Sequence, residues 1–225
     1  MSRRGAALVF DLDGTLVDSV YQHVLAWHEA LQTSGFEVSV WRIHRRIGMS
    51  GGLFGQALLR EIGPVLEPGM LDVLRQRHAE AYGRLAHQVR PLTGSVALLE
   101  RLTAMGCPWA IATSGRMETA RHILGSLPIP EGVPIITRDL VRHAKPDPDL
   151  FLAAVEKLGT DPMDTMVVGD SVWDMLAARR ARMLAIGLQS GGYGTEELER
   201  AGAYRVYDDP AHLLLHLHEV GIRGA

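Results

Sequence analysis

Cysteine is almost missing from this chain of 225 residues: Cys107 is the only one. That excludes a disulfide framework and a thiolate zinc cluster, and makes a reducing cytoplasm the expected setting. Long apolar runs are missing too. None approaches the length of a membrane span, and Ser2-Arg3-Arg4 is followed by too few apolar residues before Asp11 to make a signal peptide. No Gly-x-Gly-x-x-Gly follows the first apolar run, so the fingerprint of a dinucleotide binder is not there. The chain has no internal repeats and no low-complexity segment. A net charge of −3 gives no sign of a nucleic-acid or anionic-membrane partner. It leaves room for an anionic small substrate, because a local metal ion and lysine outweigh a mild global charge. The rest is ordinary globular composition, 47% hydrophobic and 22% charged, with length for one large domain or one and a half smaller ones.

What the chain does have is concentrated near its start. In Leu8-Val9-Phe10-Asp11-Leu12-Asp13-Gly14-Thr15-Leu16 an apolar run of strand length ends in two aspartates, a glycine and a hydroxyl. In extended backbone, residues i and i+2 project to the same side, so Asp11 and Asp13 can converge on one point. Carboxylates beside a sheet core are costly unless paired, hydrogen-bonded or bound to a cation. Two of them at a strand end suit Mg²⁺, with one left as nucleophile. Asp and Gly are also ordinary turn residues, and by itself the pattern reads equally well as a plain turn.

From about residue 91 the pattern alternates strand and helix, which predicts a parallel α/β sheet. Strands are expected at 6–10, 109–113, 133–137, 165–168 and 183–186, with helices at 95–105, 117–124, 149–158 and 172–180. Asp147 fits the N-cap of the third helix, Pro148 its first position and Gly159 its end. Residues 18 to about 88 are helical without a strand. Val20, Val24, Trp27 and Leu31 recur at amphipathic spacing, and helices at 53–62 and 70–85 are separated by Gly63-Pro64 and Pro68-Gly69. This block reads as an inserted cap, so the chain crosses between core and cap twice, near residues 17 and 89, and two crossings permit a hinge.

Three later segments end strands in matching chemistry. Thr113-Ser114-Gly115 brings hydroxyls and backbone N–H groups suited to phosphate oxygens, or an ordinary helix cap. Lys145 stands in the Pro-constrained run Lys145-Pro146-Asp147-Pro148, where an ammonium can be aimed at an anion or simply solvated. Gly169-Asp170-Ser171 ends a strand in an acid with Asp174 four residues on, an acid pair or a helix cap with its first-turn carboxylate. In an open parallel sheet the carboxyl ends of the strands form the ligand edge, so all four segments can meet there.

In order, Asp11-Leu12-Asp13-Gly14-Thr15, Thr113-Ser114, Lys145-Pro146 and Gly169-Asp170-x-x-x-Asp174 resemble the four motifs of the haloacid dehalogenase-like hydrolase superfamily. The similarity runs nearly the whole length. Gly191-Gly192-Tyr193-Gly194-Thr195-Glu196-Glu197-Leu198 and Ala201-Gly202-Ala203 resemble its usual tail, and the helical insertion resembles that of phosphoglycolate phosphatase-like and beta-phosphoglucomutase-like members. The resemblance implies a Rossmann-like parallel sheet core flanked by helices, residues 1–17 and 89–225, with an all-helical cap at 18–88. It implies that Asp11 attacks phosphorus to form an aspartyl-phosphate, while Asp13 protonates the leaving oxygen and then deprotonates water. Asp13 must begin protonated, with a neighbouring carboxylate pushing its pKa up and Mg²⁺ pulling it down. Asp11, Asp170 and the backbone carbonyl of Asp13 would hold Mg²⁺, with Asp174 as a ligand or behind one. Thr113, the Ser114 N–H and Lys145 would hold the phosphoryl oxygens.

Cap residues set the substrate in this reading. His23 and Trp27 resemble the His-x-x-x-Trp of beta-phosphoglucomutases, although Trp27 also suits the cap core. Arg45-Arg46-Ile47-Gly48-Met49-Ser50-Gly51-Gly52 reads as a helix end and a glycine loop against the substrate. The mutases carry an arginine there for a second phosphate. Gly51 stands near that point here, and Arg45 or Arg46 would have to substitute. His78 falls on a stripe with Leu71, Leu74 and Leu85 and is read as a core or interface residue. His212, His216 and His218 have metal-like spacing near the end of the chain. The expected function is a Mg²⁺-dependent phosphatase of a small phosphorylated metabolite, monomeric or homodimeric. A sugar phosphomutase is the alternative. A dehalogenase needs neither Asp13 nor Asp170, and a phospho-acceptor signalling domain is shorter and uncapped.

Overall fold

The computed structural model describes residues 6–49, 51–62 and 69–223. Among them, six parallel strands form one sheet: β1 (Ala7–Phe10), β2 (Trp109–Ala112), β3 (Ile135–Ile136), β4 (Thr165–Gly169), β5 (Leu184–Leu188) and β6 (Ala203–Tyr207). Their order is β3-β2-β1-β4-β5-β6. The strands of an all-parallel sheet are buried on both faces and read as continuous apolar runs. β1 shows this directly. Leu8 and Phe10 enter one apolar cluster with Leu98, Leu99 and Leu102, while Val9 enters the other with Phe151, Ala154 and Ala177. Helices α5 (Ser95–Ala104) and α6 (Met117–Leu124) cover the first face, and α7 (Asp149–Leu158) and α8 (Val172–Arg180) the other.

Between β1 and α5 lie α1 (Val20–Gln32), α2 (Val40–His44), α3 (Gly51–Ile62) and α4 (Met70–Leu85). They bury an apolar cluster of their own around Val24, Trp27, Leu31, Ile43, Phe54, Leu58 and Leu74, the substance of an all-helical cap. The outgoing and returning chains run side by side at its base. Asp18 N donates to Arg90 O (2.9 Å) and Leu92 N to Leu16 O (3.0 Å).

Several boundaries differ from the sequence reading. β3 shrinks to two residues at the sheet edge after Pro134, which lacks the N–H a longer ladder needs. β5 continues through Gly187, paired with Gly169 of β4. The N-cap of α7 is Pro148 rather than Asp147, and the Asp149 carboxylate instead accepts from His143 N (3.0 Å). Gly51 and Gly52 open α3 instead of extending the preceding loop. The tail, read only as a resemblance, folds into α9 (Thr195–Ala201), the edge strand β6 and α10 (Pro210–Leu215). The breakers Gly63-Pro64 and Pro68, the loop residue Ser50 and Ser2-Arg3-Arg4 lie outside the described residues.

Candidate active site

β1 and β4 are neighbours, and the strand order reverses across them, the place where an open α/β sheet leaves a crevice at its carboxyl edge. Asp11 follows β1, its N–H donating to Val168 O of β4 (2.8 Å). Asp170 follows β4 and Asp174 sits in the first turn of α8. One carboxylate oxygen from each of Asp11, Asp170 and Asp174 lies within 4.8 Å of the others, and all three residues are buried.

Each carboxylate is held by a separate local device. Thr15 Oγ1 donates to Asp170 Oδ1 (2.9 Å). Ser171 donates to Asp174 Oδ2 through its hydroxyl (2.5 Å) and its N–H (3.1 Å), which closes a capping box on α8. The two readings of Asp174 therefore merge, since Oδ2 caps the helix while Oδ1 faces the cluster. Lys145, fully buried, reaches Asp11 Oδ1 and lies 2.7 Å from Asp174 Oδ1, with its ammonium 5.3 Å from the Phe151 ring centre. Burial disfavours its charge, but the two carboxylates outweigh burial and hold its pKa above the ordinary lysine value. Burial pushes Asp11 up to about 7 against the pull of Lys145, with Asp174 and Asp13 adding to the rise. Asp170 is raised too, by burial and then by Asp174 and Asp11.

Asp13 stands in a different environment. Ser19 Oγ donates to its Oδ1 (2.6 Å), and His23 Nε2 lies 3.3 Å from the same oxygen. Thr113 Oγ1, at the end of β2, is 3.5 Å from Asp13 Oδ2 and also accepts from Gly115 N (2.9 Å). Burial opposes the Asp13 charge, but the His23 hydrogen bond and charge, with the Ser19 hydroxyl, hold its pKa below the usual carboxylate value. This corrects the expectation that a neighbouring carboxylate raises Asp13. The crowding falls on Asp11 and Asp170, while the Asp13 side chain turns to cap donors.

Three buried carboxylates face one ammonium, a charge imbalance that a divalent cation would offset. Two glycines clear the space around Asp170. A Cβ on Gly191 would stand 1.7 Å from Asp170 Oδ2 and one on Gly14, whose φ is +84°, 2.5 Å from it. Asp11, Asp170 and Asp174 fit a hard cation, with the Asp13 carbonyl in the same turn.

The family model for haloacid dehalogenase-like hydrolases matches residues 6–182. The chain belongs to that family. This hydrolase is 32% identical over 182 residues to hexitol phosphatase A of Escherichia coli, covering 79% of this chain and 80% of that one. It is 30% identical over 206 residues to a phosphoglycolate phosphatase of Caulobacter vibrioides, covering 88% and 85%. A solved structure of a hydrolase from Pseudomonas syringae superposes with a TM-score of 0.93 at 51% identity, covering 96% of this chain and all of that one.

The remaining sequence-derived residues divide. His23 joins Asp13, and Ser114 Oγ donates across to the cap at Gly48 O (3.1 Å). Arg46 donates to Arg42 O (3.1 Å), one turn back. Gly51 opens α3. Arg45 pairs with Glu197, and its guanidinium carbon lies 4.3 Å from the Tyr193 ring centre. Its carbonyl accepts from Trp173 Nε1 (3.2 Å) and Tyr193 OH (2.9 Å). His216 Nδ1 bonds His212 O (2.9 Å) and His212 Nδ1 accepts from Asp208 N (3.2 Å), so these rings serve the local chain. Sequence reading missed Ser19, whose position before α1 signals a helix cap but whose hydroxyl goes to Asp13. It left His78 as a core or interface residue. Its Nε2 lies 3.2 Å from His23 Nδ1, and its ring stacks on Trp27.

Proposed function

We propose that this hydrolase is a Mg²⁺-dependent phosphatase that cleaves a small phosphorylated metabolite through an aspartyl-phosphate on Asp11. The observation that carries the reading is the division of the two motif aspartates between two environments. Asp11 lies among carboxylates and Lys145, whereas Asp13 is held apart by Ser19 and His23. A nucleophile and a separate acid are what phosphomonoester hydrolysis needs, and a dehalogenase has no use for the second.

In this mechanism an Asp11 carboxylate oxygen attacks phosphorus in line, and the bond to the leaving alcohol breaks. Thr113 Oγ1, the Ser114 N–H and the Lys145 ammonium hold the phosphoryl oxygens as charge develops. With Asp13 Oδ1 taken by Ser19 and His23, Oδ2, 3.5 Å from Thr113 Oγ1, is the oxygen left to serve the leaving group. The approaching phosphate charge raises Asp13 towards its protonated form, so that it can give a proton to that oxygen. Asp13 then takes a proton from the water that cleaves the aspartyl-phosphate. Bound by Asp11, Asp170 and the Asp13 carbonyl, with Asp174 adjoining, Mg²⁺ would supply positive charge opposite the phosphoryl group. In this reading residues 18–88 form the cap and 1–17 with 89–225 the catalytic core. His23, Arg46 in the turn after α2 and Gly51 at the head of α3 line the leaving-group side. The mutase reading is the weaker, because Arg45, one candidate for a second phosphate, is engaged by Glu197 and Tyr193.

The test is phosphate release from a panel of monoesters with Mg²⁺ and with chelator. Release should require Mg²⁺, and Asp11→Asn should lower kcat by at least about a thousandfold. Turnover that survives chelation overturns the metal assignment. Interconversion of hexose phosphates without release overturns the phosphatase in favour of the mutase.

A further inference from the structure

The end of α2 and the turn after it rest on the core, which holds them from three strand ends. Ser114, beyond β2, donates through Oγ to Gly48 O (3.1 Å). Trp173 Nε1, beyond β4, and Tyr193 OH, beyond β5, both donate to Arg45 O, so core donors use both lone pairs of that carbonyl. The Arg45 guanidinium pairs with Glu197 of α9. One bond runs the other way, from cap to core. His44 Nε2 lies 2.8 Å from Gly191 O, and because a carbonyl only accepts, the imidazole is the donor. Rings on both sides set its plane: Tyr21 of the cap stacks on it at 5.4 Å and 8°, and Tyr193 of the core lies at 5.7 Å.

Two successive glycines separate this contact from the carboxylate cluster. A Cβ on Gly192, whose φ is +91°, would stand 2.8 Å from Tyr21 OH and 2.9 Å from His44 Nε2, so glycine is what lets the cap come this near. A Cβ on Gly191 would fall on Asp170 Oδ2. The cap therefore presses on one residue of the pair, and a carboxylate of the cluster on the other. The turn Gln189–Gly191 is also tied at Ser190, whose Oγ donates to Gly14 O (2.6 Å), and Gly14 is the second glycine against Asp170 Oδ2. A backbone segment that bounds Asp170 is thus held from one side by the turn after β1 and from the other by a cap imidazole.

We propose that His44 is a positioning residue for the divalent cation: by holding Gly191 O from the cap it keeps Asp170 aimed at the cluster, so that cap closure and cation binding strengthen one another. The inference rests on the metal assignment within the phosphatase reading. A closed cap seats the turn Gln189–Gly191, and a seated turn leaves Asp170 Oδ2 little room to swing away. Such coupling is reciprocal, so a bound cation favours the closed cap by the same factor.

The experiment is a calorimetric titration of the full chain with Mg²⁺ and no substrate, in the wild type, His44→Phe, His44→Gln, Arg45→Met and Leu74→Val. His44→Phe keeps a ring for Tyr21 and loses the donor, and its Kd for Mg²⁺ should rise about fivefold. His44→Gln restores an N–H and should recover most of the affinity. Arg45→Met leaves His44 in place but loosens the closed cap, and its Kd should rise because fewer molecules hold the seated turn. Leu74→Val weakens the apolar cluster of the cap without touching the turn, and should bind as the wild type does. Wild-type affinity in His44→Phe or in Arg45→Met overturns the proposal. So does an equal rise in His44→Gln, which removes the hydrogen bond as the cause, or in Leu74→Val, which makes the effect one of general cap stability. Should His44→Phe fail to fold, Arg45→Met against Leu74→Val decides by the same comparison. No binding of Mg²⁺ to the wild type fails the metal assignment and the proposal with it, whereas one affinity across wild type and variants overturns the proposal alone.

Discussion

Lys145 Nζ lies 2.7 Å from Asp174 Oδ1 where both residues are almost wholly buried, and the same ammonium reaches Asp11. This cation is the counterweight to three buried carboxylates. Removing it leaves them uncompensated, and breaking a buried pair from one side costs about 3–5 kcal/mol. Lys145→Met should therefore lower unfolding free energy by about that amount in chelator, measured by urea titration. Added Mg²⁺ should recover part of it. A variant as stable as the wild type in chelator would show that the carboxylates are protonated or solvated instead.

Asp170 is the opposite case. Its pKa is raised by burial, then by Asp174 and Asp11, so its charge works against the metal-free fold. Asp170→Asn keeps an oxygen for the Thr15 hydroxyl. It should raise stability in chelator by about 1 kcal/mol while turnover is lost, a trade of stability against activity. Thermal unfolding with and without Mg²⁺ should show a rise in wild-type Tm and little rise in the variant. An equal rise in both would place the cation elsewhere.

Gly191 tests the same space without removing a carboxylate. A Cβ there would lie 1.7 Å from Asp170 Oδ2, so Gly191→Ala must displace that side chain. The variant should fold yet lose most of its Mg²⁺-dependent Tm shift and its turnover. Retention of both would mean that the Asp170 position is not needed.

The parts of this site that were legible in the sequence are those announced at a strand end. Asp11, Thr113 and Asp170 each follow an apolar run, so their place on the ligand edge follows from period and length alone. Lys145 follows no strand directly, and the Pro-constrained run around it suits a solvated ammonium as readily as one aimed at an anion; the resemblance gives it a role. Ser19 was not found because its importance depends on which neighbour it meets. Its hydroxyl at the head of α1 looks like a helix cap. The Arg45–Glu197 pair joins residues 152 apart, and no local pattern encodes it. β6 was missed because an edge strand that is half exposed, with Tyr204 and Arg205 outward, lacks the continuous apolar signature of β1.

His78 leads to a pH dependence of stability. Burial and the charge of His23 hold its folded pKa well below the ordinary 6.5, while Asp13 only partly opposes them. Between those two values the unfolded chain binds a proton that the folded chain does not. Unfolding therefore becomes easier as pH falls below about 6.5, by at most about 1.4 kcal/mol per pH unit, and this contribution is absent at pH 8. His78→Gln keeps an N–H that can face His23 Nδ1 but cannot titrate. Urea midpoints at pH 8 and pH 5.5 should fall further in the wild type than in the variant. Equal falls would mean that His78 takes up its proton without opening the stack on Trp27, and that other groups set the acid sensitivity of the fold.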